Sequence, residues 1–157
     1  MIDSKEKIIL SLRNVVFTSY ENKSLEDFLI EKYGFKKTED KIGELTSMES
    51  DFEPPAQFKN LKILEKGRQK TSCTILLAGK YTEENLSIYF LGEVAREKYT
   101  VQLSETEKKT IHIDKYQMVR IEGFSGKAIQ EFIELLRVQL GISFESMDWS
   151  FHPEAKN

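Results

Sequence analysis

The segment from Ser125 to Gly141 constrains the fold of this chain more than any other. Ser125 is a good helix N-cap, and Gly141 suits the left-handed position that follows a helix C-terminus. Burying five large side chains of its apolar stripe is worth on the order of 10 kcal/mol, before ordering entropy is subtracted. The sequence therefore predicts an amphipathic helix over 125–140 that lies on a sheet. The stripe consists of Ala128, Ile129, Phe132, Ile133, Leu136 and Leu140.

The stretch before this helix predicts the sheet, because apolar residues recur there at every second position. Runs with this period occupy 73–78, 86–91 and 99–103. Two further runs, at 111–113 and 119–121, share one parity across a possible turn at Asp114-Lys115. The segments 80–85, 92–97 and 104–109 are short and polar, so we expect them to connect antiparallel strands in a meander. Residues 142–151 predict either a last strand with a bulge or an apolar tail across the core.

The first third of the chain predicts helices. Asp3 and Glu6 have capping-box spacing, and the apolar residues of 8–20 recur at helical intervals, although 15–18 is β-prone. A second helix is predicted from Ser24, ending at Gly34 with Phe35 just beyond it.

Residues 36–53 are polar and lack periodicity, so we expect a connecting segment there. Residues 54–66 fit two alternatives. One is a short helix that begins at Pro54-Pro55, and the other is an edge strand over 60–65.

These patterns predict the α+β class. We expect an antiparallel β-meander of four to six strands, a C-terminal amphipathic helix packed on one face, and N-terminal helices. The 157 residues predict a single domain over 1–157, mainly helical in 1–53 and built of sheet plus helix in 54–151.

Composition favours a folded, soluble protein in the cytoplasm. Hydrophobic residues make up 39% of the chain, which is typical of a folded protein. The net charge is only −3, so the overall charge does not indicate electrostatic binding of nucleic acid. Cys73 is the single cysteine, and an apolar strand surrounds it, so we expect a buried core thiol and a reducing compartment. No run approaches the roughly 18 apolar residues of a membrane span, so no membrane partner is expected, and no cofactor is predicted either.

The junction between the last predicted meander strand and the helix is a candidate anion site. Glycines let backbone amides approach an anion, and a helix N-terminus and a lysine add positive charge. The alternative is a helix cap with glycines that relieve strain. The residues concerned are Gly123, Ser125, Gly126 and Lys127.

His112 and Asp114 are candidate proton-transfer groups, because they lie two apart on one predicted strand. They alternate with Ile111 and Ile113, so we expect this pair to face solvent or a partner. Two ligands are too few for a metal site, and none is predicted.

The densest basic run is a candidate nucleic-acid surface. Five positive charges in twelve residues are enough to contact phosphates, although aromatic residues for base stacking are scarce nearby. The alternative is a solvated helix end or loop. The run consists of Lys59, Lys62, Lys66, Arg68 and Lys70.

The C-terminal aromatic segment is a candidate partner surface, with burial in the core as the alternative. Its residues are Phe144, Met147, Trp149 and Phe151. No arrangement of nucleophile, base and oxyanion donors is recognisable, so an enzyme is less favoured. The sequence therefore favours a non-catalytic binding or regulatory module that acts by protein–protein contact or self-association. The alternatives are a nucleic-acid-binding domain using 59–70, and a small enzyme that holds an anionic substrate at Gly123–Lys127.

Overall fold

A computed structural model describes residues 6–43, 46–47, 56 and 60–153 of the chain. The strands within these ranges are β1 (Glu6–Ser19), β2 (Lys36–Ile42), β3 (Thr46–Ser47), β4 (Lys62–Tyr81), β5 (Glu84–Gln102), β6 (Lys108–Gly123) and β7 (Ser146–Pro153). The helices are α1 (Leu25–Tyr33) and α2 (Gly126–Leu140).

The strands form one antiparallel sheet in the order β2-β4-β5-β6-β1-β7, and the short β3 also pairs with β4. The meander predicted from the alternating runs is its centre, β4-β5-β6. The sheet is wider than that meander, because strands from both terminal parts of the chain are added to its sides.

The helix predicted near the N-terminus is wrong, because residues 6–19 form β1 between β6 and β7. Leu10 and Leu12 are buried at alternate positions, and Asn14 then adopts a positive φ of 53°. This irregularity shifts the buried parity by one, so Val15 and Phe17 are buried next. Two period-two runs joined by such an irregularity imitate helical spacing, and the helix predicted over 8–20 fails for this reason.

The second predicted N-terminal helix begins and ends as its capping residues indicate. The Ser24 side chain accepts a hydrogen bond from the Asp27 amide at 3.2 Å. Gly34 is left-handed, and the amides of Gly34 and Phe35 bond back to Ile30 and Leu29, which closes α1 with a Schellman motif.

Several predicted connections are instead strand. The expected connecting segment 36–53 contains β2 and β3, and of the alternatives for 54–66, a strand is correct from Lys62 onward. The turns expected at 92–97 and 114–115 lie inside β5 and β6. Gly92 has a φ of 84°, and the register of β5 against β6 shifts between Leu91 and Val94, which marks a bulge within a continuous strand.

Helix α2 lies on the sheet with its apolar stripe buried. Ser125 caps it by accepting from the Ala128 amide at 3.1 Å, and Gly141 ends it in the left-handed region. Its buried residues join side chains of α1 and of the sheet in one core. A smaller apolar cluster consists of Tyr99, Val101, Ile111 and Ile113. Strand alternation places that cluster on the other face of the sheet.

The two strand glycines of β4 offer a matched test of packing. A Cβ at Gly79 would lie 2.5 Å from Cδ1 of the buried Phe35 ring, whereas a Cβ at Gly67 would meet nothing within 4 Å. We expect Gly79→Ala to lower the free energy of unfolding by about 1–3 kcal/mol, because the ring has to move. Gly67→Ala should stay within about 0.5 kcal/mol of the parent or be slightly more stable. Urea unfolding measures both, and equal values would contradict the packing described.

Candidate functional site

Strand β7 is one edge of the sheet and carries most of the predicted aromatic surface. It pairs with β1 from Glu6↔Pro153 to Arg13↔Ser146, and no second strand flanks it within the described ranges. Met147, Trp149 and Phe151 lie opposite three apolar residues of β1, so they extend the core face of the sheet to its margin. Met147 is 40% and Phe151 56% exposed.

The remaining members of the aromatic set are divided between core and surface. Trp149 is half-buried and packs against the core, and with Phe151 and Gly126 it lines a shallow apolar depression. Phe144 precedes β7, packs against the core, and lies under the guanidinium of Arg137 at 5.5 Å from its ring centroid. The exposed part of the predicted partner surface is therefore the Met147–Phe151 row.

The predicted anion turn is occupied by helix capping and packing. The Ser125 hydroxyl accepts a hydrogen bond from the Ala128 amide. The Lys127 side chain is 85% exposed, and its Nζ lies 4.0 Å from Glu131. A Cβ at Gly123 would lie 2.9 Å from Cδ2 of Leu86. These contacts account for Ser125 and Gly123 at the turn without an anion.

The predicted basic run is neutralised in part. Lys59 lies outside the described residues, and Lys62 and Lys66 are exposed on β4. Arg68 Nε lies 2.9 Å from a Glu97 oxygen, and Lys70 Nζ lies 2.6 Å from Glu93. The run therefore does not present an unopposed stripe of charge for phosphates.

A buried cluster of ionisable side chains connects α1 to the sheet. Arg96 on β5 donates from one guanidinium nitrogen to Glu26 of α1 and from the other to Asp114 of β6, each at 2.8 Å. Tyr116 donates to Glu26 and lies 3.4 Å from Asp114. Asp114 also accepts from the Leu25 amide at 3.3 Å, so it receives a free N–H of the first helical turn.

The electrostatics of this cluster follow from its burial. Glu26 is 2% and Asp114 0% exposed, so the single guanidinium between them is their main compensation. Burial would lower the pKa of Arg96, but Glu26, Tyr116 and Asp114 outweigh it and raise that pKa. Burial, and next the charge of Glu26, raise the pKa of Tyr116 well above its usual value, so the phenol stays a donor.

His112 belongs to the same cluster, and the expectation that His112 and Asp114 face solvent is wrong. Both are buried, and His112 Nε2 lies 2.8 Å from Asp114 Oδ1. The parity of β6 changes between Tyr116 and Val119, so residues 112, 114 and 116 face the helices. Eleven residues separate His112 from Gly123, roughly 35 Å along an extended strand. A catalytic site that combines His112 with the turn is not formed.

A second buried carboxylate lies behind this cluster, on the opposite face of the sheet. Glu97 is 2% exposed and pairs with Arg68 at 2.9 Å and Lys115 at 3.1 Å. The Tyr99 hydroxyl lies 3.5 Å from it, and burial followed by the Glu97 charge raises the pKa of Tyr99. Neighbouring residues of β5 and β6 thus bury charge on both faces of the sheet.

Cys73 is buried, as expected of a core thiol. Its Sγ lies 3.7 Å from the Phe90 carbonyl oxygen. Burial, and next the charge of Glu26, raise its pKa to about 11, so the thiolate is scarce near neutral pH.

Sequence reasoning missed Glu26, Arg96 and Tyr116. Glu26 looked like an ordinary acidic residue of a first helical turn. The available signal was the alternation of β5: counting every second residue from Phe90 through Gly92 places Arg96 on the face that packs against the helices.

Comparison with known proteins adds no assignment, because no protein-family model, curated protein or solved structure matches the chain. Neither α1 nor α2, the helices of the described ranges, has the length and apolar character needed to cross a membrane.

Removing the central cation of the buried cluster tests its structural weight. We expect Arg96→Met to lower the free energy of unfolding by about 3–5 kcal/mol, because two buried carboxylates lose their counter-ion. Arg137→Met is the matched control, since its ion pair with Glu134 at 3.2 Å is exposed on α2. That change should cost about 1 kcal/mol or less. Equal losses in chemical denaturation would contradict a cluster that holds α1 on the sheet.

Proposed function

We propose that this chain is a binding module that works by protein–protein contact, and that its contact element is the free edge of β7. The partner we assign to it is a second copy of the same chain. An edge strand offers unpaired N–H and C=O groups to another strand, and exposed apolar side chains beside them add affinity.

The contrast between the two edges of the sheet carries this proposal. At the far edge, β2 has the sequence KKTEDKI, and its register against β4 shifts between Lys37 and Glu39. Charged side chains and a bulge are the usual means by which proteins keep an edge strand from pairing. By contrast, β7 has one carboxylate, Asp148, and pairs with β1 over eight residues without a register shift. One edge is protected, and the other is regular and apolar.

The sequence of β7 is complementary to itself, which favours a second copy over an unrelated strand. An antiparallel pair centred on Ser150 would place Asp148 of each chain opposite His152 of the other. On the core side it would place Trp149 opposite Phe151. A carboxylate opposite an imidazole and a pair of aromatic rings both stabilise cross-strand neighbours, and a twofold axis makes each favourable pair occur twice.

The exposed aromatic residue of the edge provides the first test. We expect the parent chain to dimerise weakly, with a Kd on the order of 10–100 μM, because a single strand pair is a small interface. Phe151→Lys should raise that Kd at least about 30-fold, since roughly 1 kcal/mol of apolar burial is lost from each of two symmetric contacts. Sedimentation velocity over a range of concentrations measures it.

Val138→Lys is the control, because Val138 is 81% exposed on the outer face of α2. This variant also replaces an exposed apolar residue with lysine, yet it should leave the dimer unchanged. If the parent chain stays monomeric up to about 1 mM, or if both variants weaken the dimer equally, the assignment of β7 is overturned.

Exchanging Asp148 and His152 tests whether the strand pair is centred on Ser150. Asp148→His places like residues opposite each other, so we expect the dimer to weaken. Adding His152→Asp restores a carboxylate opposite an imidazole in the reversed sense and should bring the Kd back to within about threefold of the parent value. Failure of the second change to rescue the first would exclude a pair centred on Ser150.

A further inference from the structure

A cavity of about 460 Å³ opens beside the buried cluster, at the end of the sheet away from the α2 turn. It is lined by Gly67, Arg68, Gln69, Arg96, Lys98 and His112. Three of the cross-strand pairs, Gly67↔Lys98, Gln69↔Arg96 and Lys98↔His112, place side chains of three adjacent strands around it.

We propose that this cavity binds a small molecule that carries a phosphate group. The inference is independent of the β7 contact. The first argument is charge: the lining includes Arg96, Lys98 and His112 and no carboxylate, and its other arginine, Arg68, is paired with Glu97. Glu26 and Asp114 are engaged by Arg96 behind it. No carboxylate of the described ranges lies within ion-pair distance of Lys98.

The second argument is His112. Its side chain is nine-tenths buried, its Nε2 is held by Asp114, and its Nδ1 has no hydrogen-bond partner among the described residues. A buried polar nitrogen without a partner costs free energy, and such atoms in native proteins are usually satisfied by a bound water, ion or ligand. An imidazole held by a carboxylate at one nitrogen donates from the other when it is protonated. A phosphate group can meet such a ring nitrogen with an acceptor oxygen or, when singly protonated, with its hydroxyl.

The third argument is the shape of the cavity at Gly67. A Cβ at this position meets nothing within 4 Å, so the absent side chain leaves room at the wall opposite Lys98. The volume lies within the range of small-molecule sites. A phosphate fits the lining better than a carboxylate, because its three terminal oxygens can be shared among Lys98, Gln69 and His112, whereas a carboxylate has two.

The test uses the full chain with inorganic phosphate and with glycerol phosphate as probes, and acetate as the comparison anion. We expect saturable binding in calorimetry with a Kd of roughly 1 mM or below for both phosphates. Amide shifts in nitrogen-edited NMR spectra should concentrate at residues 67–69, 96–98 and 112. Acetate should bind at least about tenfold more weakly.

Two variants, each with a control, locate the site. Gly67→Leu fills the cavity and should abolish phosphate binding, whereas Gly67→Ala should keep it within about threefold. Lys98→Gln should raise the Kd about tenfold, which is about 1.4 kcal/mol. Lys80→Gln, at the exposed far end of β4, should not change it. All four changes are at surface or open positions, so cooperative unfolding should persist and is checked for each.

The proposal is overturned if no saturable binding occurs up to about 10 mM phosphate, tenfold above the expected Kd. It is also overturned if Gly67→Leu or Lys98→Gln binds like its control, or if acetate binds as tightly as phosphate. None of these outcomes bears on β7, because the oligomeric state is measured separately.

Discussion

The arrangement of this protein depends on the ion pairs made by the guanidinium of Arg96. It spans two carboxylates that are almost completely buried, one from α1 and one from β6. Two such charges cannot leave water without compensation, because the desolvation penalty is several kcal/mol for each ion. The helix is therefore fixed at one position over the sheet, where Glu26 meets Arg96 and Asp114 meets the Leu25 amide. Apolar packing alone would hold α1 less specifically.

This arrangement also explains why β5 and β6 stay continuous where the sequence suggested turns. Residues 92–97 and 114–115 are polar, but their charges are paired across the strands on both faces. Arg96 keeps the inward parity of β5, and the change of parity in β6 opposite Gly92 turns Asp114 toward the helices and Lys115 away from them. The Glu93 amide donates to the Gln117 side chain at 2.9 Å, which satisfies a backbone group at this bulge. A polar segment can therefore belong to the interior of a strand when its charges have partners in the neighbouring strands.

The parts of the fold that sequence predicted are those fixed by local chemistry. Both helices that begin at a serine and end at a glycine were placed correctly, since capping depends on residues only three or four apart. The central strands were recognised from alternation alone. In contrast, β1 was mistaken for a helix because of the irregularity at Asn14, and β2 carries no alternating signal because it is a charged edge.

The candidate sites also differ in how far the sequence alone could reveal them. The exposed row of β7 could be named from residue type, because methionine, tryptophan and phenylalanine cluster within five positions of the sequence. The cavity could not, because it needs the register that brings Gly67, Lys98 and His112 together from three strands. Registers arise from bulges and long-range pairing, which no single segment encodes.

Strand β1 keeps the two proposed sites apart. Its first half, Glu6–Arg13, pairs with β7, and its second half continues beside β6 as far as Ser19↔His112. The irregularity at Asn14 separates these halves. A second chain joined at β7 would therefore extend the sheet sideways beside the first half of β1, while the cavity lies near the other end of β1, on strands β4, β5 and β6. Both contacts of this protein could be occupied together, and any coupling between them would have to pass along β1.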